Sequence, residues 1–367
     1  MAQHNQSVLL GLFPALNLTG GVQTSGRIAW EGLTQYHNGE SAQALLFCYD
    51  AGADLSNGSF PSLTKVRAKL ASTFAAFKTT WTPQHVLIWH LGLLKLLPFF
   101  RVRDANVTLF LHGIECWRRQ KFINSVLLRR VKLFLSNSEF TWQRFVQANP
   151  EFGTTNHQIV HLGTGSPAHT VLPPSSRMPV ALMIGRIVKT EDYKGHREMI
   201  RAWPLVIQQI PEAQLWIVGD GDLKPELEQM ILERGLTKNI CLWGEVRETK
   251  KQQLLTEARC LALPSRGEGF GLVYLEAMRL GRPCLVSTLD AGREVIHPPD
   301  AGLAVDPADT RQMATAICAL LTLNERWTTW SVQAKQRYDA HFTAAHFQRR
   351  LHEALGFGSP TKAISPR

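Results

Sequence analysis

Short apolar runs alternate with longer amphipathic stretches along almost the whole chain. Runs of four to six apolar residues read as strands buried on both faces. The longer stretches, with apolar residues recurring every three to four positions, read as helices laid against them. In the first half this pattern predicts strands at 8–13, 44–49, 86–89, 107–111, 133–136 and 159–161, with helices at 26–36, 62–77, 91–102, 121–130 and 141–148. A Pro/Ser/Thr/Gly segment, GTGSPAHTVLPPSSRM, then interrupts the alternation and reads as a linker. Beyond it strands are expected at 180–184, 214–218, 240–243, 260–263 and 283–286, and helices at 195–209, 223–234, 249–257, 271–279 and 311–321. A last amphipathic helix near 343–355, with Phe347, Leu351 and Leu355 on one face, needs a surface to pack against. The fold class is therefore α/β, as two doubly wound domains. The first spans 1–165, a hinge 166–178, and the second 179–339, with the helix at about 340–357 returning to the first.

Composition narrows the function. The chain has 367 residues, 44% apolar and 19% charged, enough to bury a core in each domain. The net charge of +10 is unevenly placed: residues 1–170 hold 15 Lys/Arg against 8 Asp/Glu, and the remainder 25 against 22. A basic first half favours phosphate-bearing ligands, nucleic acid or an anionic lipid surface. The six cysteines are scattered without paired spacing, which argues against a disulfide framework or a zinc site and for a reducing compartment. No Lys or Arg precedes the first apolar run, which reads as a strand rather than a signal peptide. The apolar stretch 86–100 carries His90 and Lys95 and is too short to span a bilayer. A cytoplasmic protein is expected.

The densest candidate chemistry lies in PSRGEGFGLVYLEAM, residues 264–278. An apolar strand runs into a glycine-rich turn and then a helix beginning near Gly271. The glycines, Gly269 and Gly271 among them, let a ligand approach the backbone. The N–H groups at the helix start, at Gly269, Phe270, Gly271 and Leu272, favour an anion. Glu268 in the turn and Glu276 on the helix can accept hydrogen bonds from vicinal hydroxyls. Together these suit a phosphorylated, hydroxyl-rich molecule, although an ordinary strand–helix turn with surface glutamates has the same outline. Arg186 and Lys194 follow the first strand of the second domain, where a guanidinium and an ammonium suit a diphosphate. In the first domain Gly20-Gly21 follows the opening strand and His112-Gly113 ends the strand VTLFL. The GGVQTSG run fails the G-x-G-x-x-G dinucleotide pattern, which counts against a nicotinamide-dependent dehydrogenase.

The run E-G-F-G-L-x-x-x-E-A-M-x-x-G-x-P-C, from Glu268 to Cys284, resembles the E-x7-E signature of the retaining glycosyltransferases of family 4. The likeness spans most of the chain and is densest from Val180 to Pro307. It implies a GT-B fold, two Rossmann-like domains facing a central cleft. It also implies that Arg186 and Lys194 clamp a donor diphosphate, that Gly20 and Gly21 approach its β-phosphate and sugar, and that His112 sits beside the transferred sugar. Glu268 is expected to bind sugar hydroxyls and Glu276 the ribose; Glu115 could touch the acceptor. The activity implied is that of a hexosyltransferase, moving a sugar from GDP-mannose or a UDP-hexose to a glycan or lipid-linked hydroxyl in bacterial cell-surface polysaccharide assembly.

No cofactor and no metal are expected. Asp220-Gly221-Asp222 has the spacing of a metal-binding D-x-D, but it falls in a G-D-G turn that the resemblance already explains. Ser138, ahead of the helix at 141–148, reads as a helix cap rather than a catalytic hydroxyl. The run WRRQKFINSVLLRRVK, residues 117–132, is either a solvated helix face or a peripheral contact with the anionic inner face of the cytoplasmic membrane. Two other readings stay open: a nucleotide-sugar 2-epimerase of the same fold, and a basic nucleic-acid-binding protein, which no recognisable nucleic-acid module supports.

Overall fold

The computed structural model describes residues 7–14, 16, 20–37, 42–48, 83–100, 102–168, 173–174 and 176–357. In chain order the first half contains β1 (Ser7–Phe13), α1 (Gly21–His37), β2 (Ala42–Cys48), β3 (His85–Ile88), β4 (Asn106–Leu111), α2 (Phe122–Leu128), β5 (Leu133–Ser136), α3 (Glu139–Ala148) and β6 (His157–Ile159). Then follow β7 (Val180–Ile184), α4 (His196–Gln209), β8 (Gln214–Val218), α5 (Lys224–Glu233), β9 (Ile240–Gly244), α6 (Glu248–Glu257), β10 (Cys260–Leu263) and α7 (Leu272–Arg279). The chain ends with β11 (Cys284–Ser287), α8 (Gly292–Ile296), β12 (Gly302–Val305), α9 (Thr310–Leu321), α10 (Glu325–His341) and α11 (Ala344–Ala354). Three-ten turns lie at Leu91–Phe99, Pro150–Phe152 and Lys189–Lys194.

These elements form two compact units, one of Met1–Thr164 with Ala344–Arg367 and the other of Gly165–Thr343. Among the described residues each unit holds a six-stranded sheet, ordered β2-β1-β3-β4-β5-β6 and β12-β11-β10-β7-β8-β9. Every described pairing is parallel. The α/β class expected from the pattern is what the structure has. Helices cover a parallel sheet on both faces, so its strands are apolar throughout rather than alternating. β10 and β11 are buried at every position, and β4 at all but its first.

The first unit is built around Trp89, which is fully buried. Its ring packs on Phe110 at 4.4 Å and Phe13 at 5.3 Å between centroids, and against Phe347 of α11 at 6.1 Å. α11 lies on α1, where Gln348 Nε2 donates to Ile28 O at 2.9 Å. A Cβ on Gly32 would stand 2.6 Å from the Gln348 side chain, so Gly32 allows the helices to approach. Arg350 donates to His161 O at 2.9 Å and anchors α11 beside β6. In the second unit Met199, Ile200, Trp203 and Val206 of α4 and Met313, Ile317, Leu320 and Leu321 of α9 form the apolar layer on one face of the sheet.

Several elements differ from the pattern-based expectation. The helix expected at 91–102 is a three-ten turn over Leu91–Phe99. Leucines 91, 93, 94, 96 and 97 are all buried, leaving little polar face, and Pro98 cannot donate to a helical partner. β6 begins two residues earlier than expected. β12, α8 and α10 were not anticipated. β12 is a four-residue edge strand opening on a glycine, and α10 is polar enough to mask its buried stripe of Trp327, Trp330, Ala334 and Tyr338. The expected linker is tied to the second unit where it is described: Arg279 Nε donates to Ser166 O at 2.8 Å and Arg259 to Arg177 O at 2.8 Å. The helix expected at 62–77, Thr19 and parts of the linker lie outside the described residues.

Phe347 is fully buried against Trp89, so truncating it leaves a cavity in the first unit. Phe347→Ala is expected to cost that unit about 3–5 kcal/mol, read from urea unfolding. A change below about 1 kcal/mol would mean that α11 does not complete the core.

Candidate functional site

In the second unit the sheet order reverses between β7 and β10, since β8 lies on one side of β7 and β10 on the other. In doubly wound sheets the carboxyl ends of the strands at such a switch point form a natural binding crevice. Arg186 and Lys194 follow β7, and the 264–271 turn follows β10. Lys194 Nζ meets Glu268 Oε1 at 2.7 Å, with the two side chains only 15% and 16% exposed. Glu191 joins the cluster, its Oε2 3.7 Å from Lys194 Nζ and its Oε1 paired with Arg186. Burial alone would lower the Lys194 pKa, but Glu268 and then Glu191 outweigh it, and the ammonium is held above the ordinary lysine value.

The backbone makes this arrangement possible. Gly195 adopts φ +87°, and a Cβ there would stand 2.5 Å from Pro264 O, so the chain turns from Lys194 into α4 directly against the β10 turn. Arg266 N donates to Tyr193 O at 2.8 Å, tying the same two loops a second time. Beneath Glu268 lies Asp290, fully buried, which accepts from Gly292 N at 2.9 Å and from Glu268 N at 3.4 Å. Burial, and secondarily the nearby Glu268, push the Asp290 carboxyl well above the usual range.

Gly271 caps α7 at φ +84°, with Leu272 as its first helical residue. Gly269 and Phe270 are buried just before it. One turn further on, Glu276 pairs with Lys251 of α6, at 3.0 Å from Oε1 and 2.9 Å from Oε2. Burial raises the Glu276 pKa, against the opposing pull of Lys251. The structure thus brings Arg186, Lys194 and Glu268 into one cluster, while Glu276 belongs to a separate ion pair. Asp220 and Asp222 each accept from a backbone amide: Asp222 Oδ1 from Lys189 N, in the loop after β7, at 2.8 Å and Asp220 Oδ1 from Gly221 N, within its own turn, at 2.9 Å.

In the first unit Gly20 and Gly21 stand at the entry to α1, with Thr24 N donating to Gly20 O at 2.9 Å. Trp89 connects that turn to His112. Its indole Nε1 donates to Val22 O at 3.0 Å, and its carbonyl accepts from His112 Nε2 at 2.5 Å. His112 is buried between Trp89, Phe110 and His90, and burial lowers its pKa to about 4. Glu115 lies in the same loop. Its Oε1 accepts from His112 N at 2.8 Å and Gly113 N at 3.2 Å, holding the loop that carries the imidazole. Ser138 caps α3 by accepting from Thr141 N at 3.1 Å.

Three participants escaped the sequence reading: Glu191, Lys251 and Trp89. Glu191 sits five residues after Arg186, in a run of alternating charge, KTEDYK, that marks a local ion-pair network. Lys251 and Trp89 carry no local signal, because each acts on a residue distant in sequence.

Sucrose-phosphate synthase from Thermosynechococcus elongatus matches this structure with a TM-score of 0.76 at 16% identity, over 95% of this chain and 98% of that one. The Anabaena protein HepE, solved with UDP and glucose, matches with a TM-score of 0.70 at 16% identity, over 95% and 99%. With its paired parallel sheets, the chain therefore has the GT-B fold of the glycosyltransferases. Residues 178–323 match the family model described as glycosyl transferases group 1. The phosphatidyl-myo-inositol mannosyltransferase of Mycobacterium leprae is 32% identical over 188 residues, 50% of this chain and 49% of that protein. Through this second unit the chain is similar to the group 1 glycosyltransferases. It spans about half the length of that mannosyltransferase.

His112 and His196 are both buried, each with its pKa lowered by burial from 6.5 to about 4. Between those values the unfolded chain binds the protons and the folded chain does not, so stability falls as pH drops from about 6.5 to about 4. Each histidine contributes up to about 3 kcal/mol to that decline. Urea unfolding across this range should give a shallower decline for His112→Gln than for the wild type. Parallel slopes would place the imidazole in water.

Proposed function

We propose that this protein is a retaining hexosyltransferase, moving a sugar from a nucleoside diphosphate donor to the hydroxyl of a glycan or lipid-linked acceptor. The observation that carries the reading is the Lys194–Glu268 pair at the β7–β10 switch point. It sets a cation for a diphosphate beside a carboxylate for sugar hydroxyls. Arg186 adds a guanidinium at the rim, where its side chain is 75% exposed. Both cations are held by carboxylates here, and a diphosphate offers them more negative charge and more oxygens.

In this reading Lys194, Arg186 and the N–H groups of Gly269 to Leu272 stabilise the charge that develops on the departing diphosphate oxygen. That supply of positive charge is the reason for proposing transfer without a metal ion. Glu276 accepts from the ribose hydroxyls, exchanging part of its bond to Lys251. Retention by double displacement requires a carboxylate nucleophile. The Glu268 carboxylate is engaged by Lys194, which favours a front-face route in which the leaving oxygen takes the proton of the acceptor hydroxyl. The neutral, buried His112 suits contact with an uncharged sugar. Mannose is supported as the transferred sugar by the mannosyltransferase relative, and a UDP-hexose as donor by the UDP-bound neighbour. The setting proposed is assembly of a bacterial cell-surface glycan.

The test is binding and transfer in variants, measured in chelator. GDP or UDP should raise the melting temperature of the wild type by mass action. Lys194→Ala should weaken that binding by about tenfold or more. Glu268→Ala should retain nucleotide binding while lowering kcat by about a hundredfold or more. Glu276→Ala should weaken nucleotide binding. Wild-type transfer in Glu268→Ala would overturn the assignment.

A further inference from the structure

The first unit exposes an apolar surface that its fold does not need. α2 buries Leu127 and Leu128, yet turns Phe122, Ile123 and Val126 to solvent at 82%, 66% and 46% exposure. Phe99, 42% exposed at the end of the neighbouring three-ten turn, continues the patch across a groove of about 470 Å³. Scattered exposed apolar residues are ordinary, but four large ones lining a single groove mark an interaction surface.

Charge selects the partner. The segment from Trp117 to Lys132 holds six Lys/Arg and no Asp or Glu, and Lys95 lines the groove itself. Arg118, Lys121, Arg129 and Arg130 are all exposed on either side of the apolar face. A short helix with bare aromatic and aliphatic residues between flanking cations matches the layered chemistry of an anionic bilayer, with acyl chains below and phosphate headgroups above. We propose that α2 and the end of the Leu91–Phe99 turn dock this protein on an anionic lipid surface, Phe122 and Ile123 entering the acyl boundary and the cations meeting lipid phosphates.

The surface follows directly on the loop that carries His112, on the same unit. Docking there would hold the first unit beside lipid-borne hydroxyls, and that consequence rests on the transfer reading. The docking itself does not.

The experiment is co-sedimentation of the full chain, without donor or acceptor, with phosphatidylcholine vesicles and with vesicles in which roughly one lipid in three is phosphatidylglycerol. Binding should appear with the anionic vesicles and fall by about tenfold or more in the Phe122→Ser/Ile123→Ser double variant. A Lys121→Gln/Arg130→Gln variant should lose a similar factor on anionic vesicles, and added salt should reproduce that loss. Both pairs are exposed, so unchanged melting temperatures confirm intact folding. Equal binding to neutral and anionic vesicles, or none to either, overturns the proposal. So does concentration-dependent dimerisation that the Phe122→Ser/Ile123→Ser variant abolishes, because the patch would then be an interface between copies. Since no donor is used, failure here leaves the transfer reading standing, and failure of transfer leaves the docking result intact.

Discussion

A lysine ammonium taken mostly out of water needs an anion within reach, and the second unit is arranged to supply one to Lys194. Removing such a charge from solvent costs several kcal/mol unless a partner and hydrogen bonds replace the water. Glu268 and Glu191 replace it, and they come from different loops. The pairing therefore closes the ends of β7 and β10 over the switch point. Gly195 lets those backbones meet, and buried Asp290 fixes the turn bearing Glu268 from below. The result is a pair of cations, Arg186 and Lys194, held by carboxylates at the strand ends.

The first unit solves the corresponding problem without charge. Its strand ends are joined by Trp89, whose indole N–H holds the first turn of α1 and whose carbonyl takes the His112 proton. That bond places the hydrogen on Nε2 and leaves Nδ1 as an acceptor. Burial keeps the ring neutral through the physiological range. Glu115 completes the loop, its Oε1 accepting two backbone N–H groups. Both units are parallel six-stranded sheets among the described residues, yet they offer opposite chemistry at their strand ends, one ionic and one neutral.

Much of this was legible in the chain. Strands such as Leu133–Ser136, Val180–Ile184 and Cys260–Leu263 are short apolar runs between polar turns, and parallel burial makes such runs unambiguous. What escaped was structure whose reason lies elsewhere. β12 exists because β11 offers it an edge, and α10 because its tryptophans find a covering surface. The three-ten turn at Leu91–Phe99 looked helical because periodicity cannot distinguish a leucine-rich α-helix from a tighter turn of the same length. In the site, motif spacing pointed to Arg186, Lys194 and Glu268, but not to Glu191 or Lys251, because a partner across a loop or on another helix leaves no mark in spacing.

α11 belongs to the first unit although the entire second unit precedes it in the chain. The second unit is therefore an insertion within the first, and the order of synthesis has a consequence. Its own residues are contiguous, so it can fold while later residues are still being added. The first unit, begun earlier, must wait with the cavity for Phe347 unfilled until α11 emerges. During that interval the faces of Trp89 and α1 that α11 covers stay open, so the earlier-made half of the chain is the later to complete its core.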